Sequence, residues 1–506
     1  MKKYYLTLFL FFLHPLLSCI DGLEIELWEE CYNIEETTIL DLSGTQISGS
    51  IPEKIGDLEN LIELNLSLNN LDGEIPNQIG NLTNLVVLNL SLNDLSGGIP
   101  SSLSNLVDLN FLDLNNNNLS GSIPNQIGNL SSLVTLYLYS NQLDEEIPYQ
   151  IGNLTNLEKL DLHNNNLEGN IPSTIGNLVN LQRLFFYNNQ LSDELPIQLG
   201  QLINLVELNL ADNQLSGSIP STISNLNNLV YLNLGDNDLS GELPSNIISL
   251  TNLHYFIIRN NSISGNILSG VDNFQNLIDL DLSNNEIDGV IPEAIGNLPI
   301  LEYLNLRDNE LTGPIPISIG NLINLEYLSI RDNELSGSIP SSIGNLVNLE
   351  KIYLYNNQLT GELPDSIENL INLVELYLYE NMFYGPIPYG LGNLVNLNSL
   401  DISNNYFSGI ISSNICNQGD MTPNLNNNNF CPPYPLCFSN DDIGEQNTSE
   451  CYLIYDLNND QLLNVLDIMI IVDSILDNNF IENGDFNTDG ILNISDIIFL
   501  IGQILD

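Results

Sequence analysis

Residues 61–84 read LIELNLSLNNLDGEIPNQIGNLTN, and residues 85–108 read LVVLNLSLNDLSGGIPSSLSNLVD. The two stretches carry leucine, asparagine, glycine and Ile-Pro at the same places, 24 residues apart. The pattern returns without insertion or deletion from Thr45, which holds the asparagine place in the first unit, to Asn405 in the last. Sixteen units therefore fill residues 37–420. A fixed period of this length predicts one solenoid rather than several globular domains.

Each part of the unit has a physical role. The alternation of Leu64 and Leu66 predicts a short strand with one buried face. A single unit cannot bury that face alone, so neighbouring units must stack their strands into a parallel sheet. The asparagine that follows can bond backbone groups of its own and the adjacent unit. Glycines such as Gly73 allow a tight turn, and prolines such as Pro76 stop helix propagation on the outer side.

The consensus LxxLxLxxNxLxGxIPxxIGNLxN resembles the leucine-rich repeat family. Its LxGxIP half is similar to the plant-specific subclass, which is found in ectodomains of plant receptor kinases and in polygalacturonase-inhibiting proteins. The resemblance implies an α/β solenoid, a right-handed superhelix with an inner parallel β-sheet. Departures are local, since Glu145 and Asp193 replace the glycine while Leu268 and Ser412 replace the proline.

The composition narrows the class of protein. The chain has 506 residues, with 9 Lys plus Arg against 64 Asp plus Glu, which gives a formal net charge of −55. Binding to nucleic acid needs clustered cations that neutralise phosphates, so nucleic acid is not an expected partner. Three histidines leave little room for a His-based metal or catalytic centre.

The first residues form a secretory leader. Two lysines precede an apolar run from Leu6 to Leu17, which is too short to span a bilayer. We therefore predict a signal peptide over residues 1–19 and an extracellular or cell-surface location. The run ends in Leu-Leu-Ser-Cys, which resembles a bacterial lipobox. If Cys19 is lipidated, this lipid anchor is the one membrane attachment that we predict. The alternative is ordinary cleavage nearby, with Cys19 free or in a disulfide.

Two further segments flank the repeats. Residues 20–36, with Trp28 and Cys31, and residues 421–452 are predicted caps, because terminal repeats must cover their open core. In an exported chain, the crowded cysteines near the C-terminal cap predict two disulfides with three alternative pairings. These cysteines are Cys416, Cys431, Cys437 and Cys451. Cys31 has no predicted disulfide partner unless Cys19 is not lipidated and pairs with it.

The third, fifth and seventh residues of each unit point out from the inner sheet and form a candidate binding face. Six of the seven Lys and Arg that follow the leader lie at these positions, and tyrosine and arginine dominate binding hot spots. We predict that this face binds a polysaccharide or an extracellular protein. The predicted residues are Tyr137, Tyr139, Lys159, His163, Arg183, Phe185 and Tyr187 in one patch, and Tyr303, Arg307, Tyr327, Arg331, Lys351, Tyr353, Tyr355, Tyr377 and Tyr379 in another. The alternative is that Arg307 and Arg331 bind no ligand and only form ion pairs with Asp308 and Asp332.

Residues 453–506 break the period and contain two matching loops. Oxygen-bearing side chains recur at loop positions 1, 3, 5, 9 and 12, and a backbone carbonyl is expected at position 7. Hard oxygen ligands at this spacing suit calcium. The predicted calcium residues are Asp456, Asn458, Asp460, Leu462, Asn464 and Asp467 in the first loop, and Asp485, Asn487, Asp489, Ile491, Asn493 and Asp496 in the second.

This duplicated loop and helix resembles a type I dockerin. The resemblance implies a small all-α module over residues 453–506 that binds calcium as its cofactor and docks onto a cohesin-like partner. Known dockerins are often appended to glycoside hydrolases in polysaccharide-degrading assemblies. The family's usual Ser/Thr recognition pair is replaced by Val465 and Leu466 in the first loop. The replacement leaves the choice of cohesin unspecified, whereas the calcium positions match the family's pattern.

Together these features predict a secreted or surface-attached recognition protein without catalytic residues. One alternative is a component that hydrolyses glycans, which the dockerin resemblance alone suggests. Against it, we expect no carboxylate pair in an apolar setting that would raise a pKa. The other alternative is a structural adhesion protein, for which the inner face binds nothing.

Overall fold

The computed structural model describes residues 19–449, 451, 455–458, 462–477, 479, 481, 484–486 and 491–505. Residues 1–18 of the predicted leader lie outside the described residues. The chain divides into two compact units, one ending at Glu168 and one beginning at Gly169. Each unit is a stack of short parallel strands in chain order.

The first unit begins with an antiparallel hairpin and continues with inner strands of three residues each. The hairpin strands are Glu24–Leu27 and Glu30–Asn33. Ile25 and Leu27 are buried at 6% and 0% exposure, so these side chains, more than Trp28 in the hairpin turn, provide the cap's apolar face. The inner strands between residues 19 and 168 are Ile39–Asp41, Glu63–Asn65, Val87–Asn89, Phe111–Asp113, Thr135–Tyr137 and Lys159–Asp161.

The second unit repeats the same inner strand, again with side chains that alternate between core and surface. Successive strands pair in register, so that Tyr303 lies beside Tyr327 and Tyr327 beside Lys351. The inner strands between residues 169 and 449 are Arg183–Phe185, Glu207–Asn209, Tyr231–Asn233, Tyr255–Ile257, Asp279–Asp281, Tyr303–Asn305, Tyr327–Ser329, Lys351–Tyr353, Glu375–Tyr377 and Ser399–Asp401.

A second set of short strands follows the inner strands in both units. In the first unit these outer strands are Ser48–Ser50, Asn70–Glu74, Asp94–Gly97, Asn118–Gly121 and Gln142–Leu143. In the rest of the chain they are Glu168–Asn170, Gln190–Ser192, Ser216–Gly217, Asp238–Glu242, Ser262–Asn266, Glu286–Asp288, Thr312–Gly313, Glu334–Gly337, Gln358–Gly361, Met382–Gly385, Tyr406–Ile410 and Asn429–Cys431.

The third element of each repeat is a single turn of 3₁₀ helix. The turns of the first unit are Glu53–Asp57, Asn77–Asn81, Ser101–Asn105, Asn125–Asn129 and Tyr149–Asn153. Those of the second unit are Ser173–Asn177, Ile197–Gln201, Ser221–Asn225, Ser245–Ser249, Val271–Asn273, Glu293–Asn297, Ile317–Asn321, Ser341–Asn345, Asp365–Asn369, Tyr389–Asn393 and Ser413–Asn417. The expected α/β class is therefore wrong for the repeats that the structure describes, which contain strands and 3₁₀ turns but no α-helix.

Proline and glycine explain why no α-helix forms there. A proline precedes most of these turns in an extended conformation, as Pro316 does at φ −64° and ψ 142°. Glycine then lets neighbouring turns approach closely, since a Cβ on Gly320 would lie 2.3 Å from the carbonyl oxygen of Ser342. Where Leu268 replaces the proline, the turn shortens to three residues. Where Ser412 replaces it, the serine side chain accepts a bond from the Asn414 amide.

The asparagine of each repeat satisfies backbone groups inside the stack, as predicted. Asn117 is 8% exposed. Its Nδ2 donates to the carbonyls of Leu90, Leu114 and Asn115 at 3.0–3.2 Å, and its Oδ1 accepts from the Leu95 amide at 3.0 Å. These bonds link one repeat to the one before it, because Leu90 and Leu95 belong to the preceding unit.

The residue just before this asparagine has a left-handed backbone. Its φ lies between 51° and 58° from Leu68 to Asn404. Asparagine and aspartate tolerate this conformation better than most residues, which explains their frequency at the place. Glu145 and Asp193, which replace the consensus glycine elsewhere in the repeat, also keep a positive φ, of 61° and 64°.

Three disulfides close the two ends of the chain. They join Cys19 to Cys31, Cys416 to Cys437 and Cys431 to Cys451. The predicted pair of bridges in the C-terminal cap is confirmed, with its pairing now assigned. The Cys19–Cys31 bridge matches the disulfide alternative for Cys19, and lipidation would need the same Sγ atom.

Three α-helices lie beyond the repeats among the described residues: α1 (Asn440–Ile443), α2 (Val465–Leu476) and α3 (Ile494–Leu505). Helices α2 and α3 contact each other. They surround a small core of Tyr455, Ile471, Phe486 and Leu500, each at most 2% exposed. None of the helices in the described part of the chain combines the length and apolarity needed to cross a bilayer.

Candidate ligand-binding face

Six tyrosines of the second predicted patch form one continuous set of ring contacts. We call this set the tyrosine ladder, and its members are Tyr303, Tyr327, Tyr353, Tyr355, Tyr377 and Tyr379. Tyr303 and Tyr327 stack with ring centroids 4.2 Å apart, and so do Tyr355 and Tyr379. Edge-to-face and tilted contacts at 5.2–6.4 Å connect the two stacked pairs. The repeat creates the ladder, because register places equivalent residues of adjacent units side by side.

Stacking decides what the ladder can offer a ligand. The interplanar angles of the two stacked pairs are 9° and 13°, so each pair hides two ring faces against each other. The ladder therefore presents mainly ring edges and hydroxyl groups. A row of open aromatic faces, which stacking on successive sugar rings would need, is not formed.

Three hydroxyls of the tyrosine ladder have a clearly raised pKa. Burial raises the pKa of Tyr303 well above its usual range, and Tyr327 adds to the effect. Burial likewise raises the pKa of Tyr353, helped by the hydrogen bond that its hydroxyl donates to Glu375. The pKa of Tyr379 rises through burial and its neighbour Tyr355, with smaller contributions from nearby aspartates. These three hydroxyls thus keep their protons at neutral pH.

The cations of this patch are paired within the chain. Arg307 lies 3.6 Å from Asp308, and Arg331 contacts both Asp308, at 3.6 Å, and Asp332. The guanidinium of Arg331 also lies over the ring of Tyr355 at 4.9 Å. The self-neutralised Arg–Asp pairs that we kept as an alternative are therefore formed.

A third cation is neutralised in the same way. Lys351 Nζ lies 2.8 Å from Glu375. Burial opposes ionisation of Glu375, but bonds from Lys351 and Tyr353 lower its pKa overall. With three cations balanced by three carboxylates, the patch is an aromatic and hydroxyl surface rather than an anion-binding one.

The first predicted patch falls in two different units. In the first unit, Tyr139 stacks on His163 with centroids 4.4 Å apart, and His163 Nδ1 lies 2.5 Å from Asp161. Tyr137 makes an edge contact with Tyr139 at 6.0 Å. Lys159 is half-buried at the start of its inner strand.

In the second unit, Arg183 makes a two-pronged ion pair with Glu207 at 2.7 and 3.0 Å. The Arg183 guanidinium lies 5.1 Å from the ring centroid of Phe185, and Phe185 contacts Tyr187. These aromatic residues line a surface depression of ≈ 390 Å³ together with residues that the sequence prediction missed. The missed residues are Tyr231 and Tyr255, whose rings lie 5.7 Å apart. Both occupy the third place of their repeat, so a comparison of that column could have found them.

Two aspartates, each with a second aspartate nearby, contradict the expectation that no carboxylate pair lies in a setting that raises a pKa. Burial raises the pKa of Asp279 to about 7, with a further increase from Asp281 and a decrease from Arg259. Burial also raises the pKa of Asp113 to about 6, although bonds from Asn115 oppose the shift. The expectation was wrong because burial depends on residues 24 positions away. Raised pKa values alone do not make a catalytic pair.

Asp279 makes stability depend on pH. Its pKa of about 7 in the folded chain exceeds the ordinary aspartate value of 3.8. The folded state therefore holds the proton more tightly, and stability falls as pH rises from about 4 to about 7. We expect Asp279→Asn to match the parent at pH 4 and to be more stable by about 1–3 kcal/mol at pH 8. Denaturant unfolding at both pH values measures this difference. The same change at the exposed Asp288 should alter stability by less than about 0.5 kcal/mol at either pH, and equal behaviour of the two variants would contradict the assignment.

The C-terminal loops place two carboxylates in matching buried positions. Asp467 and Asp496 are both 0% exposed. Asp467 accepts bonds from the amides of Asn464, at 2.9 Å, and Asn458, at 3.2 Å, and Asp496 accepts from the Asn493 amide at 2.8 Å. The two loops are thus built alike at the positions that the structure describes.

The other predicted calcium residues are partly accounted for. Asp456 is buried at 6% exposure. The side-chain oxygens of Asn464 and Asn493 cap their helices by accepting from the Leu466 and Ser495 amides at 2.9 and 2.8 Å. The carbonyls of Leu462 and Ile491, predicted at position 7, accept from these same asparagines. Asp460, Asn487 and Asp489 lie outside the described residues, as does Gly490.

Calcium fits the chemistry of these loops. A buried carboxylate whose bonds come from neutral amides favours a nearby cation. Asp456 and Asp467 would hold an ion in the first loop and Asp496 one in the second, and each ion would supply positive charge beside a buried carboxylate. Within the described residues no group of three metal-binding side chains is assembled, so calcium binding stays a prediction.

Sequence models of one family match most of the solenoid. The model described as leucine-rich repeat region matches residues 87–219 and 316–416. Two further leucine-rich repeat models match residues 251–311, and residues 37–58, 60–82, 228–250 and 301–322. No curated protein matches the chain in sequence.

Solved structures point to the same family. The ectodomain of the plant membrane receptor kinase GASSHO1/SCHENGEN3 from Arabidopsis thaliana, in complex with CASPARIAN STRIP INTEGRITY FACTOR 2, is 37% identical over 77% of this chain and 50% of its own, with a TM-score of 0.69. The plant peptide hormone receptor RGFR1, in complex with RGF2, is 38% identical over 78% of this chain and 67% of its own, with a TM-score of 0.71. The leucine-rich repeat protein LIC12759 of Leptospira interrogans is 33% identical over 69% of this chain and 92% of its own, with a TM-score of 0.51.

These similarities define the class of protein, and the chain belongs to the leucine-rich repeat family. Its described repeats have the parallel-strand solenoid architecture of that family. It spans half the length of the GASSHO1/SCHENGEN3 ectodomain chain.

Proposed function

We propose that this chain is an exported, non-catalytic recognition protein whose tyrosine ladder binds an extracellular protein or peptide. The single observation that carries the proposal is the ladder itself, six tyrosines in continuous contact on one face. Tyrosine supplies large contact area, a hydroxyl donor and little side-chain entropy to lose, which suits protein binding. Two similar structures are the plant peptide hormone receptor RGFR1 with RGF2 and the Arabidopsis receptor kinase HAESA ectodomain with a peptide hormone ligand, which supports a similar role here.

The geometry favours a protein ligand over a polysaccharide. Stacked rings at 4.2 Å hide their faces from sugars. The hydroxyl edges that remain, together with flanking carboxylates such as Glu375, suit the backbone and polar side chains of an extended peptide. Because Arg307, Arg331 and Lys351 are already paired, the face has no surplus positive charge for an acidic glycan.

Catalysis by the solenoid finds no support in these residues. Asp279 and Asp113 have raised pKa values. Asp279 and its neighbour Asp281 lie on the same inner strand, however, and Asp113, at only 7% exposure, is hardly accessible to a substrate. A hydrolase needs an acid and a second carboxylate facing one substrate-sized space. The glycan-hydrolysing alternative therefore rests only on the dockerin resemblance.

The remaining parts serve attachment in this proposal. The repeats are of the plant-type 24-residue subclass, and the chain is exported to the extracellular space or cell surface. Residues 453–506 form a dockerin-like module that binds calcium through its two loops and docks onto a cohesin-like partner. Buried Asp467 and Asp496 support calcium at this module.

An array experiment tests the role of the ladder. The full chain, with calcium, is applied to arrays of extracellular proteins and of glycans. A variant with alanine at Tyr303, Tyr327, Tyr355 and Tyr379 is compared with a matched control that has four outer tyrosines changed. The control positions, all at least 51% exposed, are Tyr149, Tyr384, Tyr389 and Tyr406.

The outcomes separate the functions. We expect protein binding that falls at least tenfold in the ladder variant and less than twofold in the control. Glycan binding lost in the ladder variant would replace the protein proposal with the polysaccharide alternative. Protein binding that both variants retain, or no binding at all, would favour the structural adhesion protein.

A further inference from the structure

One stacked column of the inner face ends with an open ring. The column consists of the Arg331 guanidinium over Tyr355 at 4.9 Å, and of Tyr355 stacked on Tyr379 at 4.2 Å. The equivalent residue of the next repeat is Ser403, which is too short to cover a ring. The Ser403 hydroxyl instead donates to Asp401 Oδ1 at 2.6 Å. One face of the Tyr379 ring stacks on Tyr355. Ser403, the equivalent residue of the next repeat, does not stack on the opposite face.

A polar depression begins at this ring. It has a volume of ≈ 390 Å³, and we call it the C-terminal depression. Its lining residues are Tyr377, Tyr379, Asn398, Ser399, Leu400, Asp401, Asp420, Thr422 and Asn424. A volume of this size holds a single side chain or a small ligand.

Two carboxylates lie in the wall of the C-terminal depression. Asp401 Oδ2 accepts from Asn424 Nδ2 at 2.9 Å. Asp420 accepts from the amides of Leu400, at 2.8 Å, and Thr422, at 2.9 Å. All of these donors are neutral, and neither aspartate forms an ion pair with a Lys, Arg or His among the described residues. The depression is thus acidic on a chain of net charge −55.

The chain itself shows which group suits such a place. One step back in the column, the guanidinium of Arg331 lies on the face of Tyr355 and pairs with Asp332. The C-terminal depression offers the same two elements, a tyrosine face and carboxylates. A guanidinium stacks on aromatic rings and binds carboxylates through two parallel bonds, which an ammonium group does less well.

We propose that the C-terminal depression binds an arginine side chain of the protein or peptide partner. The guanidinium stacks on Tyr379 as the next member of the column and donates to Asp401 and Asp420. This inference rests on the proposed function and specifies it, because it places a basic residue of the partner at the C-terminal end of the tyrosine ladder.

Three capped peptides test the inference with the full chain in calcium at low salt. The probes are acetyl-Gly-Arg-Gly-amide, its citrulline analogue, which is planar but neutral, and its lysine analogue, which is charged but not planar. Titration is followed by calorimetry, with cellohexaose as a sugar probe. We expect the arginine peptide to bind at least tenfold more tightly than the citrulline peptide and about threefold more tightly than the lysine peptide.

Variants locate the binding. Tyr379→Ala and Asp401→Asn should each weaken the arginine peptide at least fivefold. Asp365→Asn, which removes one exposed charge elsewhere, and Tyr389→Ala, at a 66% exposed position outside the tyrosine ladder, should change it less than twofold. Thermal unfolding of each variant shows whether the fold is kept. If Tyr379→Ala unfolds, the more conservative Tyr379→Leu replaces it.

The results distinguish this inference from the proposed function. Equal binding of arginine and citrulline peptides, no arginine binding, or tighter binding of cellohexaose would overturn the inference. If the arrays still show a protein ligand that needs the tyrosine ladder, the proposed function stands without it. Arginine binding at the depression without any ladder-dependent partner would instead overturn the proposed function.

Discussion

Replacing Asn117 with alanine should lower the free energy of unfolding by about 3–5 kcal/mol, because several buried backbone groups lose their partner at once. Three carbonyls and one amide bond this side chain at 3.0–3.2 Å. With Asn117 at 8% exposure, water cannot replace these bonds without opening the stack. Denaturant unfolding of the parent and the variant measures the loss.

The adjacent asparagine is the matched control. Asn118 is exposed, and the alanine substitution there removes one long bond from Gln142 at 3.4 Å. We expect Asn118→Ala to change stability by less than about 0.5 kcal/mol. Hydrogen exchange should show that Asn117→Ala opens the amide of Leu95. Similar losses at both positions would show that the inner asparagines do not hold the repeats together.

Removing calcium should unfold helices α2 and α3 while the repeats stay folded. Asp467 is fully buried and accepts hydrogen bonds from the neutral backbone amides of Asn458 and Asn464, so a bound cation would balance its charge. Calcium at 100 times its dissociation constant should stabilise the module by about 2.7 kcal/mol. Calorimetry with calcium and with a chelator should show one transition that moves and one that does not.

A substitution separates calcium binding from a general charge effect. Asp467→Ala removes the residue at loop position 12 and should weaken the first loop's calcium affinity at least about 100-fold, as loss of a main ligand does. Asp473→Ala, at an exposed place on the same helix, should leave it unchanged. Identical unfolding with calcium and with chelator would refute the calcium loops.

Much of the fold follows from the repeat alone. The parallel strands, the asparagine contacts and the cysteine bridges of the C-terminal cap agree with the sequence prediction. The predicted α/β class was wrong because a proline precedes most of the turns, and because neighbouring turns lie too close together for an α-helix. At Gly320, for example, the next turn lies so close that only glycine fits. The sequence left the state of Cys19 open, because the residues around it are compatible with both a lipobox and a disulfide. Only the structure places Cys31 beside Cys19.

The binding face was predictable in its membership but not in its chemistry. Column positions correctly brought Tyr303 beside Tyr327. They did not reveal that the rings stack and hide their faces, or that Asp308 contacts two arginines. The raised pKa of Asp279 was missed for a related reason, because its burial comes from adjacent repeats. Side-chain conformation, which the repeat does not encode, decided each of these points.

Tyrosine footprinting tests the central claim most directly. The full chain is labelled by iodination alone and in the presence of an extracellular protein fraction, and each labelled tyrosine is identified by mass spectrometry. Tyr149 and Tyr389, both 66% exposed and outside the inner face, serve as controls in the same molecule. We predict that Tyr355 and Tyr379 lose at least half of their labelling while the controls keep theirs. Unchanged labelling of the tyrosine ladder, or equal protection of ladder and controls, would contradict a protein-binding role for this face.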